Sequence, residues 1–199
     1  KPVIVEGGAI DVNGKGTLLT SEECLMHPSI QVRNAHFTKA DYEAVFKEYL
    51  GVTNVIWVGD GIEGDDTHGH IDDLCRFVNE DTIVTIVEED KTDANYQPLQ
   101  DNLKRLQNAK LENGQTPKIV CLPMPKRLDF EDLRLPASYA NFLILNHCVL
   151  VPTFNDSKDR IALNILADCF PDREIIGISA TDFIWGFGTL HCLSQQIPA

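Results

Sequence analysis

The chain has 199 residues, with 17 Lys and Arg against 30 Asp and Glu, a formal net charge of −13, and 43% hydrophobic residues. That length fits one domain or two, the apolar fraction suffices for a real core, and the acidic balance argues against the basic patch of a nucleic-acid binder. No run of about 18 apolar residues is present to span a membrane, and six irregularly spaced cysteines without a C-x-x-C pair fit neither a disulfide framework nor a Cys-rich zinc site. Reduced thiols in a cytoplasmic protein, most of them small buried hydrophobes, are the better reading, and the negative field suits a cationic ligand.

The chain enters a strand-like apolar run, Val3-Ile4-Val5, directly after Lys1-Pro2, and so reads as a piece whose start lies upstream. Residues 9–12, the Gly-rich turn Asn13-Gly14-Lys15-Gly16 and residues 17–20 predict a hairpin. A helix over 38–50 follows, with Tyr42, Val45, Phe46, Tyr49 and Leu50 as its apolar stripe. Thr38 and Asp41 are placed as a capping box, and Gly51 is a natural stop. Residues 52–58 read as a buried strand. The same order recurs as a hairpin over 74–78 and 82–87, a helix over 97–111 and a strand over 118–122. It recurs again as a hairpin over 140–145 and 148–151, a helix from Ser157 carrying Ile161, Ala162, Ile165, Leu166 and Cys169, and a strand over 174–178. The expected fold class is therefore α/β, three ββαβ units repeating at about 65 residues. A ring of such units needs more than three copies to close.

The loops after the last strands of the first and third units carry the chemistry, and pseudo-symmetry brings them to one end. Residues 60–73 hold five aspartates, Glu63, His68 and His70. Three readings stand for this stretch. It is a solvated polar loop; or His68, His70 and Asp72 ligate a divalent ion; or His70 works as an acid–base group beside Asp72 and binds a cation. In an extended segment His70 and Asp72 share a face. Cys192 is the leading nucleophile candidate, set apart from Cys121 and Cys148 only by its approach through Gly186-Phe187-Gly188 and by the symmetry argument. His191 adjoins it, but neighbours in a strand point apart, so His191 is not read as its base. Glu6, before Gly7-Gly8, is either a turn acid or a site acid at a strand end.

Four ordered motifs carry a resemblance over essentially the whole chain. Glu6-Gly7-Gly8-Ala9-Ile10 with residues 16–25, Gly64-Asp65-Asp66-Thr67-His68-Gly69-His70-Ile71-Asp72-Asp73, Leu135-Pro136-Ala137-Ser138-Tyr139-Ala140-Asn141-Phe142, and His191-Cys192-Leu193-Ser194-Gln195-Gln196 with Pro198 are similar to segments of the agmatine deiminases. These form part of the Porphyromonas-type peptidyl-arginine deiminase family. The resemblance implies the pentein fold, an α/β propeller of five ββαβ units. About three of them would be present here, as the C-terminal part of a single catalytic domain spanning 1–199. It implies Cys192 as nucleophile, His70 as general acid/base, Asp72 gripping a guanidinium, and Glu6, Asp66 and Gly188 as substrate contacts. A further catalytic aspartate of the family has no counterpart in this stretch. Phe187 and Thr189 depart from the Gly-Gly-Gly-Asn that many members carry before the nucleophile. The implied reaction turns agmatine into N-carbamoylputrescine and ammonia with no cofactor and no metal. The partner is a small cationic guanidino substrate, not nucleic acid or membrane, and a homo-oligomer is compatible with the sequence. A deiminase of another guanidino compound such as peptidyl-arginine, or a non-catalytic pentein-type binding protein, are the other readings.

Overall fold

The computed structural model describes residues 3–197; Pro198 of the last motif lies outside them. The first unit comprises β1 (Asp11–Val12), β2 (Thr17–Ser21), α1 (Glu22–Met26), α2 (Lys39–Leu50) and β3 (Asn54–Val58). The second comprises β4 (Cys75–Phe77), β5 (Thr82–Val87), α3 (Tyr96–Asn108) and β6 (Lys118–Pro123). A small hairpin, β7 (Asp129–Phe130) with β8 (Leu133–Arg134), leads into the third unit: β9 (Leu143–Ile144), β10 (Cys148–Thr153), α4 (Asp159–Cys169) and β11 (Glu174–Ser179). Each unit forms its own three-stranded sheet, ordered β1-β2-β3, β4-β5-β6 and β9-β10-β11. In each, the first pair is antiparallel and the second parallel, with Thr17 opposite Asn54, Thr82 opposite Lys118 and Cys148 opposite Glu174. The predicted threefold ββαβ repeat is present.

In the second and third units the helix connecting the parallel pair packs on its own sheet and also on the last strand of the unit before it, α3 on β5 and β3 and α4 on β11 and β6. The central strand β2 is buried along its whole length, on both faces. Leu18 buries with Tyr42 and Phe46 of α2, while Leu19 on the opposite face joins the main core with Ile56 and Val58. Thr38 Oγ1 accepts from the Asp41 N–H at 3.3 Å and Asp41 Oδ2 accepts from the Thr38 N–H at 2.7 Å, so the predicted capping box forms; such a cap is worth about 1 kcal/mol. Gly51 closes the helix in the left-handed conformation, φ 69°.

Several elements differ from expectation. The predicted stripe of α2 divides: Tyr42 and Phe46 are buried, but Tyr49 and Leu50 are 72% and 51% exposed. With Val3, Val5, Ile10 and Val45 they line an open apolar groove of about 390 Å³. The run at Val3-Ile4-Val5 is not a strand; the Asn34 side chain pairs with both Ile4 backbone groups, at 3.0 Å and 2.7 Å, where a strand partner would stand. The expected strand over 9–12 shrinks to β1 because Gly7–Ala9 turn in a short 3-10 helix. The strand over 140–145 shrinks to β9. The five-residue α1, capped by the Ser21 hydroxyl on the Cys24 N–H at 3.1 Å, is too short to show a periodicity. Of the six free thiols only Cys24 and Cys75 are buried; Cys121 and Cys192 are exposed as residues, and Cys148 and Cys169 are half-buried. No helix among the described residues is long and apolar enough to cross a membrane.

Candidate active site

The loop after β3 is held from beneath by α3. Asn102 accepts from the Gly59 N–H at 2.7 Å and donates to the Asp60 carbonyl at 2.8 Å, and Asn95 accepts from the Glu63 N–H at 2.7 Å. Asp65 then folds the tip. One of its oxygens accepts from the Thr67 N–H (2.8 Å), the other from the Gly69 N–H (2.8 Å) and the His70 N–H (3.1 Å). This accounts physically for the Asp65-x-Thr67-x-Gly69-His70 spacing, since one carboxylate satisfies the donors of a tight turn. The buried Ile71 pins the end of the loop to the core.

Residues Ile71–Asp73 form a 3-10 turn, not the extended segment that alternation assumed. His70 and Asp72 nevertheless line one cavity, and the turn also buries Asp73, which a period-two reading sends away from the site. The backbone at Gly8 closes on this pair. A Cβ there would stand 2.5 Å from His70 Nδ1 and 2.9 Å from Asp72 Oδ2, so only glycine admits the approach. Glu6, just before it, is fixed by Arg33, whose Nε donates to Oε1 at 2.8 Å. Burial works to raise the Glu6 pKa, but the Arg33 hydrogen bond and charge outweigh it and hold the carboxyl below its ordinary value.

Cys192 lies in a tight turn, with the Leu193 N–H donating to the Thr189 carbonyl at 3.1 Å and the Ser194 N–H to the His191 carbonyl at 3.0 Å. The assumption that His191 and Cys192 point apart belonged to a strand and fails here. His191 Nδ1 sits 2.7 Å from Asp72 Oδ2, both groups buried. The buried Asn141, at the end of the Leu135-to-Phe142 motif, organises the turn. Its Oδ1 accepts from Thr189 Oγ1 (2.8 Å), the His191 N–H (3.0 Å) and the Cys192 N–H (3.3 Å). Its Nδ2 donates to Asp73 Oδ1 (3.0 Å) and to Cys192 Sγ (3.0 Å). Although Cys192 is exposed as a residue, its sulfur faces inward, 3.4 Å from Asp72 Oδ2. Burial first, then the Asp73 and Asp72 charges, push the thiol well above its ordinary pKa; the Asn141 hydrogen bond opposes them. Burial and the charges of Asp72 and Asp65 likewise push the Asp73 carboxyl far up.

Glu6, Gly8, Asp66, His70, Asp72, His191 and Cys192 line a single cavity of about 270 Å³. Cys192, His70, Asp72 and Glu6 are thus brought together, and Asp66 stands exposed among the lining residues. Gly188, expected as a substrate contact, is placed instead beneath the nucleophile, where a Cβ would meet Cys192 Cβ at 2.6 Å. His68, in a left-handed conformation (φ 58°), does not line the cavity, so the His68–His70–Asp72 ligand set does not assemble there. Two other groups of ligand-type atoms do gather within 4.8 Å, Glu6–Cys24–His70 and Asp72–Asp73–Cys192.

Four buried side-chain polar atoms among the described residues have no hydrogen-bond partner, and three belong to this cavity: Glu6 Oε2, His70 Nε2 and Asp72 Oδ1. Two of them are carboxylate oxygens, which only accept. Unpaired buried acceptors are costly, and N–H donors carried on a cation would satisfy them. Sequence reasoning missed Asp73, Asn141, His191 and Arg33. Only Asn141 left a signal, a lone amide between Ala140 and Phe142 in an otherwise apolar run.

Comparison with known proteins places the chain in a family. The sequence profile of the Porphyromonas-type peptidyl-arginine deiminase family matches residues 1–198. An agmatine deiminase of Pseudomonas fluorescens is 35% identical over 98% of this chain and 57% of its own length. A solved Porphyromonas gingivalis structure aligns with a TM-score of 0.93 at 43% identity, over 98% of this chain and 57% of that one. The agmatine deiminase of Enterococcus faecalis gives 0.92 at 35% identity, over 98% and 57%. An amidinotransferase of Microseira wollei, 16% identical with a TM-score of 0.53, shares the fold alone. The three ββαβ units are units of the pentein fold, and the chain spans 57% of the length of the curated relative it matches. With the family profile matched along nearly its whole length and the motif residues gathered in one cavity, the chain belongs to the Porphyromonas-type peptidyl-arginine deiminase family.

Proposed function

We propose that this chain carries the reacting groups of a hydrolase that deiminates the guanidinium of agmatine, giving N-carbamoylputrescine and ammonia. The observation that carries the proposal is the convergence of an inward-facing thiol with unpartnered buried acceptors in one cavity. A guanidinium is planar, cationic and made of N–H donors, and carboxylates bind it through paired hydrogen bonds. Asp72 Oδ1 and Glu6 Oε2 would both be satisfied by such a ligand. The relatives named agmatine deiminases support agmatine as the substrate, and the Porphyromonas gingivalis structure, named an arginine deiminase, makes arginine the competing substrate in the test.

The chemistry follows from the charges. Burial and the two aspartates hold the Cys192 thiol protonated. A guanidinium beside Asp72 supplies the missing positive charge, which favours the thiolate. As Sγ attacks the central carbon, His70 takes the thiol proton and returns it to one amino nitrogen, which leaves as ammonia. A thiouronium joined through the Cys192 sulfur remains. His70 then takes a proton from water, the hydroxyl oxygen bonds to the carbon, and the C–S bond breaks. His70 returns that proton to the sulfur, the hydroxyl oxygen releases its own proton to solvent as the carbonyl forms, and the ureido product departs. Asn141 donates to the sulfur throughout, and His191 holds Asp72 from the side away from its free oxygen.

The test is ammonia release from agmatine, arginine and an arginyl peptide by the wild type and Cys192→Ser. Turnover of agmatine lost in Cys192→Ser, with the fold intact by circular dichroism, supports the reading. Preference for the peptide reassigns the substrate, and turnover by Cys192→Ser rejects the mechanism.

A further inference from the structure

Beside the proposed acid–base residue lies a buried thiol, Cys24, that has no part in the reaction and that forms a set of ligand-type atoms with Glu6 and His70. Cys24, on α1, is 2% exposed, and burial above all pushes its thiol up to about 12. Its Sγ, a carboxylate oxygen of Glu6 and a ring nitrogen of His70 lie within 4.8 Å of one another. Independently, His70 is 7% exposed and its Nε2 has no hydrogen-bond partner, and the same is true of Glu6 Oε2. Arg33 holds the other Glu6 oxygen at 2.8 Å, so the carboxylate is fixed with one oxygen left over. A thiolate, an imidazole and a carboxylate are the donors zinc takes, at about 2.0–2.3 Å; around a tetrahedral ion such atoms stand roughly 3.3–3.8 Å apart. Atoms within 4.8 Å of one another reach that spacing by closing at most about 1.5 Å. Glu6 and His70 line the cavity, which gives an ion its way in.

We propose that Glu6, Cys24 and His70 form a site for a soft divalent cation, zinc by its donor chemistry, and that its occupation withdraws His70 from proton transfer. The second half of the statement rests on the reading of His70 as the acid–base group. On binding, the ion displaces the Cys24 thiol proton to solvent, and thiolate and carboxylate together neutralise its charge; water takes the fourth position. The site is inhibitory: the metal blocks the residue that the reaction needs. Its rival within the same cavity is the Asp72–Asp73–Cys192 group, which offers one thiol and two carboxylates.

Titration of the full chain with Co²⁺, which reports a thiolate ligand through a sulfur-to-cobalt charge-transfer band, separates the two without any need for turnover. The wild type and Cys192→Ser are expected to develop the band at one equivalent, and both Cys24→Ser and Cys24→Ala to lack it. Zinc is expected to inhibit ammonia release by the wild type, and Cys24→Ser to weaken that inhibition by at least about tenfold. The absence of a thiolate band in the wild type overturns the proposal. So does a band lost in Cys192→Ser but kept in Cys24→Ser, or zinc inhibition unchanged in both Cys24 variants.

Discussion

Gly188→Ala tests the placement of the nucleophile with a single methyl group. The added Cβ would stand 2.6 Å from Cys192 Cβ and 3.1 Å from Sγ. Carbon atoms in contact settle at about 3.5–4.0 Å, so the Cys192 turn must retreat by about 1 Å. The substitution adds no backbone strain, because Gly188 is not in the left-handed region. The turn cannot absorb the shift freely either, since Asn141 holds it by three hydrogen bonds to Oδ1. A misplacement of about 1 Å in a reacting group costs on the order of 10²-fold in rate, and overpacking of this kind costs about 1–3 kcal/mol of stability. Steady-state ammonia release from agmatine should therefore show kcat down about 100-fold with a much smaller change in KM, because the carboxylates that bind the guanidinium lie on other elements. The control is Gly186→Ala in the same loop, where the added Cβ meets no atom within 4 Å; it should keep kcat within about threefold. A Gly188→Ala enzyme as active as the Gly186→Ala enzyme would show that the Cys192 turn does not rest on Gly188.

Asn141→Asp replaces the N–H donor on the sulfur with a carboxylate beside Asp73. The added negative charge raises the thiol pKa further, so iodoacetamide alkylation of Cys192 at neutral pH should slow by at least about tenfold, read by peptide mapping. Activity should survive prolonged dialysis against a chelator; loss restored by a divalent ion would return a catalytic role to metal. Burial tends to raise the Asp93 pKa, but the Arg134 hydrogen bond at 2.8 Å and its charge hold it below the ordinary 3.8. That contribution to stability is present above the unfolded carboxyl pKa and fades as pH falls through the lower folded one. The urea midpoint gap between wild type and Arg134→Gln should accordingly narrow from pH 6 toward pH 3, and a constant gap would remove Asp93 from the account. Phe46→Ala should cost about 3–5 kcal/mol by urea unfolding, since Phe46 is 1% exposed between α2 and β2.

The architecture was legible where one local signal met one period. Thr38, Asp41 and Gly51 bracket a helix by capping chemistry, and the buried runs of β2, β5 and β10 recur with the same connections. It was illegible where the backbone serves the site. Gly7 and Gly8 are spent on approaching His70 and Asp72, so the strand predicted there becomes a turn. Asn141 is spent on the nucleophile turn, so the strand predicted around it shortens to β9. The site residues that escaped notice share one cause. Asp73 and His191 sit in tight turns, where adjacent side chains reach the same cavity or its wall, while the reading of both stretches assumed the period of an extended strand. The groove beside α2 is a different case: its stripe was read correctly as apolar, but pattern alone does not say which part of a stripe is covered.

If Cys192 is the nucleophile, a covalent intermediate forms on its sulfur. Enzyme turning over agmatine, quenched in acid and mapped by peptide mass spectrometry, should carry substrate minus ammonia on the peptide containing Cys192, and Cys192→Ser should carry none. Ammonia released at full rate with an adduct on a different cysteine, or with the Cys192 thiol never modified under any quench, would contradict it.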